Sequence, residues 1–211
     1  MLIKDAIRIT GGVTTTSKMP SKSYSLDARD CNVGSKLVKV QGSVCANCYA
    51  LKGNYIRYQT AIQKAQARRL EGLINNSQWV TAMVRIIGKD SYFRWFDSGD
   101  IPDMKSLIKI VSVAMLTPNT KHWLPTKEYQ LISSYKRQGG FIPSNLVIRQ
   151  SAPMLDVVLP AISGTSSMVV TYNAKLPKDT VLCSASKQGN QCLDCRACWT
   201  PEVLRVAYPS H

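Results

Sequence analysis

Between residues 11 and 44 polar positions dominate, Gly, Ser, Thr and Lys following one another without periodicity, so this stretch is expected to be loop with at most a short hairpin. The pattern changes at Tyr55. Ala61, Ile62, Ala65, Leu70, Leu73 and Ile74 recur near a 3.6-residue period, which predicts an amphipathic helix over 55–74. Ser77 as a cap and Gly88 as a terminator bracket a second helix over 78–87. The aromatic run Tyr92-Phe93-Arg94-Trp95-Phe96 has strand propensity and ends in the turn Asp97-Ser98-Gly99-Asp100. Helix is then expected over 103–116 and 128–138, and strand over 122–124, 146–149, 168–172 and 180–183. Strands alternating with helices imply parallel crossover units and an α/β fold. At 211 residues the chain is short for a complete eightfold barrel, so the expectation is an incomplete or compact (β/α) barrel-like domain. Residues 1–182 form the basic N-terminal segment and this core; a Cys-rich metal-binding tail, 183–211, is too short for a core of its own and should pack on it.

Composition narrows the class. With 45% hydrophobic and 19% charged residues the chain lies near globular averages, neither a disordered polybasic tail nor a coiled coil. No apolar run approaches the ~18 residues of a membrane span, and the first ten residues, with Asp5 among them, lack a signal-peptide core. A cytoplasmic protein with no membrane partner is expected. In a reducing compartment seven cysteines are expected to be metal ligands or reactive thiols rather than disulfides.

The formal charge of +14 is unevenly spread: residues 1–70 carry 12 Lys or Arg against 3 Asp, so +9 of the excess falls in a third of the chain. Such a field favours a polyanion, DNA or another nucleic acid. Arg57, Lys64 and Arg68, spaced by seven and four residues, share the polar face of the first helix, with Arg69 beside them.

The chemistry-bearing residues form three groups. Cys183, Cys192, Cys195 and Cys198 are separated by eight, two and two residues, close enough for their thiolates to converge on one metal; the run suits a 4Fe-4S cluster more than zinc, with both open. Cys31, Cys45 and Cys48 form a second set without a clear fourth ligand, expected to hold a metal or cluster with one open position. His122 is a candidate fourth ligand, although between Lys121 and Trp123 it also fits a packing role. The third group is Asp97-Ser98-Gly99-Asp100, at a strand end where α/β proteins build sites; its two carboxylates could divide nucleophilic and acid/base work. Lys127 and Arg149, after the strands at 122–124 and 146–148, should face the same edge. P-loop, G-x-S-x-G and H-E-x-x-H motifs are absent, so phosphoryl transfer and serine hydrolysis lose ground.

Taken in order, Cys31, Cys45-Ala46-Asn47-Cys48-Tyr49-Ala50, Lys52-Gly53, Phe93 to Asp100, Pro125-Thr126-Lys127 and Cys192 to Trp199 resemble the small phage proteins of the gene product 88 type, over roughly residues 25 to 200. The resemblance implies a phage-encoded protein in the host cytoplasm with a barrel-like α/β fold. It brings two functional associations. In the first, Asp97 to Gly99 is similar to the Asp-Ser-Gly motif of transglycosylases that exchange guanine in DNA for a 7-deazaguanine base. The second is with radical-SAM enzymes, in which a cluster with three Cys ligands binds S-adenosylmethionine at its free iron; Cys31, Cys45 and Cys48 are three such residues, in a spacing that differs from the usual one.

The leading expectation is therefore base exchange in DNA by Asp97 and Asp100 with Lys127, Ser98 and Gly99 at the turn, Arg149 at the neighbouring strand end, and Trp95 or Tyr49 stacking on an extruded base. A radical-SAM-like enzyme acting on nucleic acid or a nucleotide is the alternative. A non-enzymatic, metal-stabilised DNA-binding protein is the third.

Overall fold

The computed structural model describes residues 1–160 and 164–210. Its centre is an eight-stranded sheet in the order β1-β2-β3-β4-β5-β6-β8-β7. β1 (Thr14–Thr15) and β2 (Lys22–Tyr24) form the antiparallel hairpin foreseen in the polar N-terminal stretch. Every other pairing is parallel, through β3 (Tyr92–Trp95), β4 (Lys121–Thr126), β5 (Leu146–Ser151), β6 (Ser166–Val170), β7 (Thr180–Leu182) and β8 (Arg205–Pro209). From β2 to β6 the strands lie side by side in chain order, without the reversal of a doubly wound sheet. No pairing joins β7 back to β1 among the described residues. β8 comes from within the Cys-rich tail, so that tail supplies a strand as well as thiols.

Seven α-helices are present among the described residues: α1 (Ile3–Thr10), α2 (Gly34–Leu37), α3 (Asn54–Arg57), α4 (Gln59–Asn75), α5 (Trp79–Ile87), α6 (Met104–Leu116) and α7 (Tyr129–Arg137). The helix expected over 55–74 is interrupted at Tyr58, whose φ of −112° and ψ of 30° leave the helical region. None is long and apolar enough to cross a membrane.

Period-2 alternation along the strands sorts side chains onto two different faces. Tyr24, Phe93, Trp95, Leu124 and Leu146 point toward α4, α5, α6 and α7, and with Leu73, Trp79, Met83, Leu107, Ile110 and Ile132 they make the main core. The alternate residues Tyr92, Trp123 and Tyr208 pack instead with Met19, Trp199, Cys192 and Cys198 from the N-terminal loop and the tail. Trp199 is fully buried there and donates its indole N–H to the carbonyl of Phe93 at 2.9 Å. Helices cover one face of the sheet; the tail covers the other.

Candidate functional site

Because β2 to β5 run parallel, the segments that leave their C-terminal ends emerge on one edge of the sheet. The longest, residues 27–53, carries Cys31, Cys45 and Cys48. Asn32 Nδ2 donates to Pro102 O at 2.9 Å, and the Val33 N–H donates to the buried Glu128 carboxylate at 3.1 Å. On its far side the loop pairs with the segment after β5, through Val44 N to Pro153 O at 2.9 Å and Leu155 N to Gly42 O at 3.0 Å. These four ties stretch the cysteine loop across the ends of β3, β4 and β5.

Gly34, in α2, lies between two of the thiols: a Cβ there would sit 3.5 Å from Cys31 Sγ and 3.7 Å from Cys45 Sγ. Burial pushes the Cys31 thiol up, Asp100 and the other two cysteines add to the rise, and Lys127 opposes it. Burial likewise raises Cys45, with Lys127 opposing and Cys48 and Asp100 reinforcing. Asp100, Cys48 and Lys127 thus all act on the Cys31 and Cys45 thiols at this edge. Among the described residues, no three His, Cys, Asp or Glu side chains close on a common point as a metal would require, and the seven cysteines are free thiols.

The aspartate turn follows β3 directly. Phe96 precedes it with φ at 50°, an uncommon conformation for a buried aromatic residue, which turns the chain sharply as the strand ends. Gly99, φ 80°, lies against Leu26, where a Cβ would come within 2.6 Å of the Leu26 Cβ and 2.9 Å of its backbone. The turn is fastened there: Leu26 N donates to Ser98 O at 2.9 Å, Ser98 Oγ donates to Leu26 O at 2.6 Å, and buried Gln66 of α4 donates to Ser98 Oγ at 2.8 Å.

Held this way, the two aspartates differ. Asp100 accepts from Thr126 Oγ1 at 2.6 Å, Lys127 N at 2.8 Å and Ile101 N at 2.8 Å, so both its oxygens tie the end of β3 to the end of β4. Asp97 is buried, and its Oδ1 has no hydrogen-bond partner. Burial raises its carboxyl above the usual carboxylate range, against the opposing charges of Arg94 and Arg69. Tyr49 lies over this corner with its ring half exposed; burial raises its hydroxyl, and the charges of Arg94 and Asp97 act on it in opposite senses.

Several residues expected at the site are placed elsewhere. Trp95 is fully buried among Tyr24, Trp79 and Phe93 on the helix-covered face, so its ring is not open to a base. Arg69 turns inward from α4, donating to Gly12 O at 3.1 Å and to Ser25 Oγ. Arg149 is fully buried on the tail-covered face. Its guanidinium donates to the carbonyls of Ala197, Cys198, Thr200 and Val203 at 2.7–3.0 Å and to Ser166 O at 3.4 Å. Ser98 and Gly99 hold the turn rather than present a free donor. His122 lies on the helix side, stacked on Trp95, with Nε2 bonded to Thr117 Oγ1 at 2.8 Å, away from the three thiols. Trp95, His122 and Arg149 share one reason, that strand side chains follow the face set by the pleat and the pleat sends these into the two packed layers, whereas Arg69 lies on the inward side of α4. Arg57, Lys64 and Arg68 are exposed, and Lys127 is half buried beside the thiols.

Residues that sequence reasoning passed over complete the picture. Arg94 lies over the Trp123 ring at 4.4 Å, on the same strand face as Ser23, which is its register partner. Its place between Phe93 and Trp95 already marks it as facing away from them. Glu128 and Gln66, which fix the cysteine loop and the aspartate turn, had no signal beyond ordinary helix and cap positions.

The remaining four cysteines lie on the tail-covered face. Cys183, Cys192, Cys195 and Cys198 line one cavity of about 20 Å³ with Ala185, Val206 and Trp199. Cys198 Sγ is 3.2 Å from the Tyr208 hydroxyl, and burial pushes its thiol up to about 11.

A mixed sheet wound mainly in one sense, with one cysteine loop across its carboxyl edge and a second cysteine cluster on its open face, defines a cysteine-rich α/β protein. The chain belongs to the gene product 88 family, which matches it over residues 3–201, and with that the expectation of a phage protein holds. No curated protein and no solved structure shows significant similarity to it.

Proposed function

We propose that the chain is an iron–sulfur enzyme of the S-adenosylmethionine-cleaving kind acting on nucleic acid or a nucleotide, with its singly wound sheet serving as an incomplete barrel and Cys31, Cys45 and Cys48 as cluster ligands. The supporting observation is the donor set at the carboxyl edge. Three thiols gather there, the oxygens of Asp100 are spent on Thr126, Lys127 and Ile101, and His122 lies on the other side of the sheet. Three thiolates with a vacant fourth position are what a cluster with one open iron needs, and the side-chain-free Gly34 leaves the space between two of them clear. When bound, such a cluster supplies one-electron reduction of a sulfonium coordinated at its open iron.

The chain's own residues supply the rest. Lys127 places positive charge beside the thiolates and so favours their ionised form. Asp97, buried and with one free acceptor oxygen, offers a proton-accepting or hydrogen-bonding group a short step along the same edge. Arg57 on α3 and Lys64 and Arg68 on α4, all exposed to solvent, offer cations for phosphates.

The test is anaerobic purification and reconstitution. Iron and acid-labile sulfide that disappear in Cys48→Ser, together with release of 5′-deoxyadenosine from S-adenosylmethionine by the reduced protein, are the expected results. Protein that binds no sulfide and leaves S-adenosylmethionine intact would overturn the reading. One observation keeps base exchange in DNA as a second reading: the free oxygen of Asp97. There, Asp97→Asn should abolish incorporation of labelled guanine into DNA while the cysteine variants retain it.

A further inference from the structure

We infer that the four tail cysteines form a separate, closed site for a single tetrahedral divalent ion, zinc being the chemistry that fits best, whose work is to lock the tail onto the open face of the sheet. The first ground is size. The cavity lined by Cys183, Cys192, Cys195 and Cys198 measures about 20 Å³, room for one water-sized body, whereas a cube of four irons and four sulfides is far larger. The second is coordination. Four cysteines line this cavity, the number a closed structural site of thiolates takes, and a bound ion would draw together sulfurs that do not yet meet at one point.

The third ground is that Cys183, Cys192 and Cys198 are fixed from three different parts of the fold, with Cys195 turned back onto Cys192. Cys183 follows β7 and donates its N–H to Ala207 O of β8 at 2.8 Å. Cys192 donates to Lys18 O of the N-terminal loop at 2.8 Å, and Cys195 N–H turns back to Cys192 O at 2.9 Å. Cys198 has its carbonyl held by Arg149 at 3.0 Å and its sulfur against Tyr208. Between these anchors the backbone takes positive φ at two residues that are not glycine, Asn190 at 58° and Leu193 at 43°. The tightest of these bends, at Leu193, lies inside the Cys192–Cys195 knuckle, and conformations of this kind persist where the surroundings over-determine them. An ion gripping both cysteines supplies that constraint. Charge agrees as well: four thiolates around a divalent ion carry two net negative charges, and the Arg149 guanidinium, bonded to the Cys198 and Ala197 carbonyls, places positive charge near the Cys198 thiol.

This site and the three-cysteine edge make independent demands, so one variant separates them. In the full chain with Cys31, Cys45 and Cys48 all replaced by Ser, elemental analysis should find about one zinc or iron per chain and no acid-labile sulfide. The same protein loaded with cobalt(II) should show the visible bands of tetrahedral thiolate coordination. Cys195→Ser, at the most exposed ligand, should lose those bands and make the tail susceptible to protease. Acid-labile sulfide in the triple variant would overturn the inference in favour of a tail cluster. A metal-free triple variant from metal-replete cells that still protects its tail from protease would overturn it outright. If the edge reading alone is wrong, the wild type lacks sulfide yet the triple variant keeps its ion.

Discussion

Replacing Arg149 by Met tests whether this residue anchors the tail or contacts substrate. The substitution keeps most of the apolar stem and removes the guanidinium. Four partly buried carbonyls, those of Ala197, Cys198, Thr200 and Val203, then lose donors that lie 2.7–3.0 Å away, and the buried 3.4 Å contact with Ser166 O goes too. At roughly 1 kcal/mol for each well-made bond, and more where a charged donor leaves a buried acceptor without a partner, the loss is about 3–5 kcal/mol. That is a large part of the 5–15 kcal/mol typical of a domain. Urea unfolding followed by circular dichroism should show the midpoint falling accordingly. Mass spectrometry after brief alkylation below the transition should show Cys192, Cys195 and Cys198 modified before Cys31, Cys45 and Cys48. A variant within about 1 kcal/mol of the wild type, with unchanged thiol protection but weakened nucleic-acid binding, would refute this and return Arg149 to the substrate surface.

Other outcomes follow from the same geometry. His122, buried against Trp95 and Phe93, has its pKa pushed down to about 4 by burial. The folded state therefore favours the neutral ring, and the stability it carries is lost as pH falls from the unfolded value of about 6.5 toward 4. Between pH 7 and pH 4.5 the wild type should lose about 2–3 kcal/mol more than His122→Gln in matched urea titrations, and equal losses would refute the assignment. Gly99→Ala, which forces a Cβ into Leu26 at a positive φ, should cost at least ~2 kcal/mol and depress activity with it; a thermal melt unchanged from wild type would count against the close approach. Asp97→Asn should be more stable than wild type at neutral pH, because a raised carboxyl pKa means the charged form opposes folding, and should be inactive in either catalytic reading. Joint replacement of Arg57, Lys64 and Arg68 by Ala should lower the salt dependence of nucleic-acid binding by about 2 in log–log slope, as measured by fluorescence anisotropy.

How much of this was legible in the sequence varies with the physics behind each element. Helices α5, α6 and α7 and strands β3, β4 and β5 carry long apolar periods or dense aromatic runs, and their positions follow from pattern alone. Strand β8 did not stand out, because Arg205-Val206-Ala207-Tyr208-Pro209 is short and ends in proline; only pairing with β6 and β7 makes it a strand. Helix α1 lay in a stretch weighed for targeting signals, and its packing on α5 is a tertiary fact. The grouping of cysteines into three and four was visible as spacing, and the structure puts the two sets at the carboxyl edge and on the tail-covered face. Which arginines reach solvent was not, because exposure depends on the pleat and on what covers each face: Arg69 and Arg149 share the composition of a nucleic-acid surface and are spent on backbone carbonyls and a serine hydroxyl inside. The division of labour between Asp97 and Asp100 was equally hidden, resting on Thr126 and on the Lys127 N–H across a strand boundary.

The insertion of β8 between β6 and β7 has a consequence for biosynthesis. As the chain leaves the ribosome, β7 and Cys183 emerge before residues 205–209, and among the described residues β7 is paired with no strand other than β8. At the usual pace of translation, β2 to β6 and their helices have seconds in which to assemble while the cysteine turn is still unplaced. Until β8 pairs, β7 and the cysteines that follow it have no place on the sheet, so the strand must dock before the four thiols can be brought together. A chain shortened to residue 204 should therefore keep its N-terminal helices while its tail becomes open to oxidation and proteolysis.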